Sequence, residues 1–251
     1  MLKRQIRKKR EFMHHRAEAK KGRSKDSLLD NEYATPAYAD PKVLITTSRS
    51  PSERLKKFHK EVSLIFPNTI TMNRGAYKLK DIFEYANRHE FSDVVVVHEH
   101  QGEPDGLIIS HLPVGPTLYL SISGAVLRHD VQGDKDNVSQ AYPHLIMHNF
   151  SEGPGEKIKT ILQNLFPVPN KEDNKRVVSF ICEKDFISFR NHTYTKPTYN
   201  TVDLEEIGPR FELRPFLLRL GNLLEPNAPV EWALRPYMNS SNKRSAISKP
   251  N

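Results

Sequence analysis

Residues 208–221 read GPRFELRPFLLRLG, an apolar stretch that carries Arg210, Arg214 and Arg219 and is interrupted by Pro215. A helix is excluded early, because proline lacks the amide proton and would break the hydrogen-bond ladder. A strand fits better. Phe211 and Leu213 then face one side, Arg210, Glu212 and Arg214 face the other, and Pro215 belongs at an edge or a bulge. The charged face is either simply solvated or turned toward a ligand, and the alternation alone leaves both open. Downstream, VEWALRPYM (230–238) is expected to pair with this strand as an antiparallel neighbour across LEPNAP (224–229).

Upstream, PKVLITTSRSPSERLKKFHKEVSLIFP (41–67) contains a short buried strand, Val43–Thr47, and then an amphipathic helix. Leu55, Phe58, Val62 and Ile65 recur at helical spacing, Pro67 marks the stop, and Ser50 with Glu53 reads as a capping box around Pro51 at the first helical position. Ile70–Met72 reads as a strand, Lys78–His89 as a helix, and Asp93–His98 (DVVVVH) as a central strand covered on both faces. Gly106–Ser110 and Thr117–Ser123 follow as strands through Gly/Pro turns. The opening unit then recurs. PHLIMHNFSEGPGEKIKTILQNLFP (143–167) again runs Pro, short strand, polar turn, amphipathic helix, Phe-Pro, with Ile158, Ile161, Leu162, Leu165 and Phe166 as its stripe. Val177–Cys182 echoes Val94–His98, and Phe186–His192 echoes the strand after it. One repetition predicts two similar α/β halves, about 41–130 and 142–237, the second without the middle helix.

The 251 residues carry a formal charge of +8 that is unevenly spread. Residues 1–25 hold eleven Lys and Arg against Glu11 and Glu18, a net +9, which leaves −1 for the other 226 residues. LKRQIRKKREFMHHRAEAKK (2–21) has no Gly or Pro and reads as a helix. Its apolar stripe of Leu2, Ile6, Met13 and Ala17 is too thin to support it alone, so a partner is expected to order it. Residues 1–40 therefore read as a basic arm plus linker, and 238–251 as a tail. No apolar run approaches the roughly 20 residues needed to span a bilayer, and the basic N-terminus lacks a secretory apolar segment. A soluble intracellular protein with no membrane partner is expected.

Concentrated positive charge attracts polyanions by releasing condensed counterions. The candidates are Lys3, Arg4, Arg7, Lys8, Lys9 and Arg10 in the arm, then Arg49, Arg54, Lys57, Arg74 and Arg128 near strand ends. Arg210, Arg214, Arg219 and Arg235 belong to the terminal strands, where a planar guanidinium donates in a fixed direction. Some of these could instead pair with Glu205, Glu212 or Glu231. No catalytic set, metal site, cofactor or small-molecule substrate is indicated. GPGEK (153–157) lacks the Walker spacing and reads as a turn before a helix rather than a phosphate cradle. His98, His100 and His111 lack a second ligand pair and read as surface or turn residues. Cys182, the single cysteine, reads as a buried thiol.

These motifs resemble the Brix-domain family of ribosome-assembly factors over residues 41–237. VLITTSRSPSERLKKFHKE, LIFPNTITMNRG, DVVVVHEHQGEPDGLIISHLPVGPTLYLSI, VLRHD, PHLIMHNF, VSFICEKDFISFRNHTY and EIGPRFELRPFLLRLG occur in that order. The two ends, MLKRQIRKKREFMHHRAEA and VEWALRPYMNSSNKR, resemble its branch of Imp-type U3 small nucleolar ribonucleoprotein subunits. The resemblance implies an α/β Brix domain of two pseudo-symmetric halves akin to anticodon-binding domains. It also implies a nucleolar RNA-binding factor of the small-subunit processome. Such a factor binds U3 snoRNA and favours its pairing with pre-rRNA for 18S rRNA maturation, beside other processome proteins. A protein-interaction scaffold, or a paralogue serving the large subunit, remains open.

Overall fold

The computed structural model describes residues 40–130, 141–168, 175–198, 201–234 and 247–248. The basic arm lies outside them. Within them the elements run β1 (Val43–Thr47), α1 (Glu53–Ile65), β2 (Thr69–Met72), α2 (Leu79–Arg88), β3 (Asp93–His100), β4 (Glu103–His111) and β5 (Thr117–Val126). A 3₁₀ turn, Arg128–Asp130, closes this part. Then come β6 (His144–His148), α3 (Pro154–Asn164), β7 (Arg176–Glu183), β8 (Phe186–Thr198), β9 (Thr201–Glu206), β10 (Arg210–Arg219) and β11 (Val230–Ala233). The result is a mixed α/β fold on one eleven-stranded sheet, ordered β2-β1-β3-β4-β5-β10-β8-β7-β6, with β9 beside β8 and β11 beside β10. β1 runs parallel to β2 and β3, and β6 runs parallel to β7. The β5–β10 pairing at the centre is antiparallel.

The 208–221 stretch is therefore an interior strand. Phe211 and Leu213 are buried and Arg214 is exposed, as the alternation requires. Pro215 sits at a bulge, where the register against β5 slips between Pro215 and Leu217. After the slip the buried position moves to Leu218, because one extra residue shifts a period of two by one face. On the other edge β8 accompanies β10 only from Phe211 to Leu213, and β11 takes over from Leu217. Pro215 falls in the gap between those partners, where a missing amide costs least. The pairing of β10 with β11 matches the sequence expectation.

Helix α1 buries Leu55, Phe58, Val62 and Ile65. Its cap departs from the expected box. Ser52, not Ser50, is the N-cap, and its hydroxyl accepts from the Leu55 amide at 3.1 Å. The Glu99 carboxylate takes the Ser52 amide and hydroxyl, so a β3 acid completes the cap and Pro51 stays outside the helix. Helices α1 and α3 lie on the same face, meeting through Phe66 and Phe166 at 5.1 Å. An aromatic chain continues beneath them from Phe166 to Phe180, Phe189 and Phe211, with Phe189 and Phe211 stacked at 4.5 Å. Helix α2 covers the opposite face only at the β1–β3 end, where Ile82, Phe83 and Ala86 pack on Leu44, Val94 and Val96. Among the described residues no helix covers that face at β5, β10 and β8.

Candidate nucleic-acid interface

The basic residues expected to bind a polyanion divide by what surrounds them. Arg54 ion-pairs with Glu103 at 2.6 Å, and Arg210 with Glu206 at 3.2 Å. Glu212 is taken by Arg190 at 2.7 Å and Glu231 by Lys157. Arg128 sits in the 3₁₀ turn, its backbone amide donating to both oxygens of the buried Glu61. Burial raises the Glu61 pKa above its usual range. Lys57 lies on the exposed side of α1. Lys3, Arg4, Arg7, Lys8, Lys9, Arg10 and Arg235 fall outside the described residues.

Arg49 and Arg74 differ from these. Neither has an ion pair among the described residues, although they sit near each other at the C-terminal ends of the parallel strands. Arg74 is half-buried, and its pKa is lowered by burial and by the charge of Arg49. Its Nε and the neighbouring Ser48 hydroxyl are buried without a hydrogen-bond partner. His98, at the same end of β3, is held toward its neutral form by burial and by the charge of Arg74. Two like charges and two orphaned polar groups form an arrangement that an anion would stabilise.

Arg214 likewise has no carboxylate partner among the described residues. Its guanidinium lies 5.1 Å from the Phe186 ring centre, a cation–π contact on the uncovered face. Phe216 lies two residues along the same strand, and its ring is 6.0 Å from that of Tyr119. Arg219 keeps its Nε buried and unpartnered. The structure thus brings together Arg49 with Arg74, and Arg214 with Phe186. Arg54 and Arg210 are instead tied up by acids.

Two arginines escaped the sequence reading. Arg190 faces outward from β8 and is neutralised by Glu212. Arg176, 1% exposed, reaches from β7 to the last turn of α1, donating to the Leu64 and Ile65 carbonyls at 3.2 and 3.0 Å and to Asn191 at 3.2 Å. Burial pulls its pKa down to about 10. The only sequence signal was an arginine opening a buried strand, RVVSFIC. His111 corrects the expectation of surface or turn histidines: it is buried and bonded to Asp93 at 3.0 Å, which is itself 1% exposed.

GPGEK is a helix start, as expected, with Gly153 as the N-cap of α3. Its vicinity is filled by the chain itself. The Ile247 carbonyl accepts from the Ser151 amide at 2.7 Å and approaches Gly155 so closely that a Cβ there would lie 2.6 Å from it. The Ile247 and Ser248 amides donate to Asp185. Cys182 is fully buried, and burial pushes its thiol up to about 12, so it is inert toward nucleophilic chemistry.

A large mixed sheet with helices unevenly shared between its faces defines an α/β domain. The Brix domain family model matches residues 48–217. The U3 small nucleolar ribonucleoprotein protein IMP4 of Bos taurus is 48% identical over 221 residues, covering 88% of this chain and 75% of that protein. The Homo sapiens protein of that name is 47% identical over 228 residues, covering 90% and 78%. Its Saccharomyces cerevisiae counterpart is 43% identical over 223 residues, covering 88% and 76%. A probable ribosomal biogenesis protein from Aeropyrum pernix K1 shares the fold at TM-score 0.50 and 17% identity, covering 69% of this chain and 96% of that one. The chain belongs to the Brix-domain family, in the branch of those IMP4 proteins.

Proposed function

We propose that this chain is a non-catalytic RNA-binding subunit of the U3 ribonucleoprotein, working in the nucleolus. It holds U3 snoRNA and pre-rRNA together by neutralising two phosphate backbones, so that intermolecular pairing becomes less costly. The names of its relatives support the particle. The observation that carries RNA binding is Arg49 beside Arg74, two guanidinium groups with no carboxylate partner among the described residues, next to the unsatisfied Arg74 Nε and Ser48 hydroxyl, because an anion would relieve both the like-charge repulsion and the missing hydrogen bonds.

The scaffold is read as two related halves, about 41–130 and 142–237, meeting at β5 and β10. The strand order supports this. Inside the extra edge strand β2, the run β1-β3-β4-β5 begins with a parallel pair and continues antiparallel, and so does β6-β7-β8-β10 from the opposite end. Each half opens with a strand followed by a helix on the same face. The basic arm, residues 1–40, is read as an added electrostatic tether.

Purified protein added to U3 and pre-rRNA fragments at modest salt should raise the rate or yield of duplex, and U3 should be enriched among RNAs copurifying from cells. No acceleration and no U3 enrichment would contradict the proposal. Enrichment of large-subunit RNA instead would assign the chain to a paralogous role.

A further inference from the structure

We propose that the α2-side face of the sheet is a track for one unpaired RNA strand, held by its phosphates at Arg49 and Arg74 and by stacked bases at Phe186, Phe216 and Tyr119. This rests on the RNA-binding reading and adds the surface and the strandedness of the ligand.

A row of register partners crosses this face. Thr46 pairs with Met72 and Thr47 with Val97 in parallel ladders, so continuing each ladder places Ser48 beside Arg74 and His98. His98 then faces Gly106, Gly106 faces Ser121, and Ser121 faces Arg214. Arg214 meets the Phe186 ring. From Arg74 to Arg214 the row crosses five strand spacings, about 24 Å at about 4.8 Å each. That length suits a few nucleotides of extended strand.

The row has a polar, low floor between two different ends. Ser48, Gly106 and Ser121 supply small side chains, and a Cβ on Gly106 would already crowd His98 at 3.3 Å. At one end Arg49 and Arg74 have no carboxylate partner among the described residues, and Arg49 is exposed, which suits phosphate. The other offers half-exposed rings, Phe186 at 38% and Phe216 at 41%, with the Arg214 guanidinium against Phe186. Aromatic faces accept bases of any sequence, and only an unpaired strand can splay its bases onto them. A duplex could use the arginines but not the rings. The charge at the arginine end is what favours a nucleic-acid strand over an apolar protein segment as the occupant.

Full-length protein should be titrated by fluorescence anisotropy with a short oligouridine and with a duplex RNA of equal length, at elevated salt to suppress the arm. The variant Phe186→Leu/Phe216→Leu keeps apolar area and removes the rings. It should bind oligouridine roughly tenfold or more weakly and the duplex as before. Independently of any variant, a 5-iodouracil oligonucleotide should photocross-link to peptides of β8 and β10. Unchanged oligouridine affinity, or cross-links confined to other surfaces, overturns the track while leaving RNA binding standing. If the wild-type chain binds neither RNA at modest salt as well, both readings fall.

Discussion

At the β1–β3 end, the α2-side face of the sheet carries Leu44, Val94 and Val96, sealed under Ile82, Phe83 and Ala86. At β5, β10 and β8 the same face carries Tyr119, Ser121, Arg214 and Phe186, and no described helix lies over it. The two regions obey one alternation and differ only in which residues fill the outward positions. Aliphatic residues there demanded a cover. Serine, arginine and half-exposed aromatics do not, and they leave surface that can work. The difference separates what folds the sheet from what the sheet presents.

Substitutions can break this contrast, beginning with the largest effect. Phe83→Ala and Phe211→Ala should each cost about 3–5 kcal/mol, since both rings are buried and leave cavities. Phe186→Ala should cost far less, its ring being 38% exposed. Denaturant titration of the three would measure the contrast, and equal losses would erase it. Arg176→Met should cost less, about 1–3 kcal/mol, because it strands buried carbonyls at the α1 terminus, with RNA affinity per folded molecule unchanged.

A pH-dependent effect comes next. His59, His98 and His192 all have folded pKa values pushed below 6.5, mainly by burial. The unfolded state therefore binds more protons between those values and 6.5, and stability rises with pH there. Their contribution is fully present above 6.5 and is lost as the pH falls through the folded values. Thermal midpoints should drop on acidification, and His59→Gln should flatten the slope. The smallest effect belongs to Arg54→Gln, which removes an exposed pair with Glu103 worth about 0–1 kcal/mol.

Much of the frame was legible from local pattern. The stripes of α1 and α3, the valine run of β3 and the alternation of β10 are all set by neighbours in sequence. The cap of α1 was misplaced by two residues because its completing acid, Glu99, comes from another strand. The pairing of the arginines was illegible for the same reason. Arg54 on α1 meets a β4 acid 49 positions away and Arg190 on β8 a β10 acid 22 positions away, and only helix packing in the first case and sheet register in the second decide such encounters. Equally, nothing near Phe186 in the sequence announces that no helix among the described residues will cover it.

The most direct test compares arginines that acids hold with arginines they do not. RNA affinity should be measured across a range of salt for Arg49→Gln/Arg74→Gln/Arg214→Gln and for Arg54→Gln/Arg210→Gln. The first variant should bind more weakly and lose about one unit of salt slope per phosphate contact removed, while the second stays close to wild type. Equal losses in the two, or no loss in the first, would contradict the assignment of RNA binding to the unpaired set.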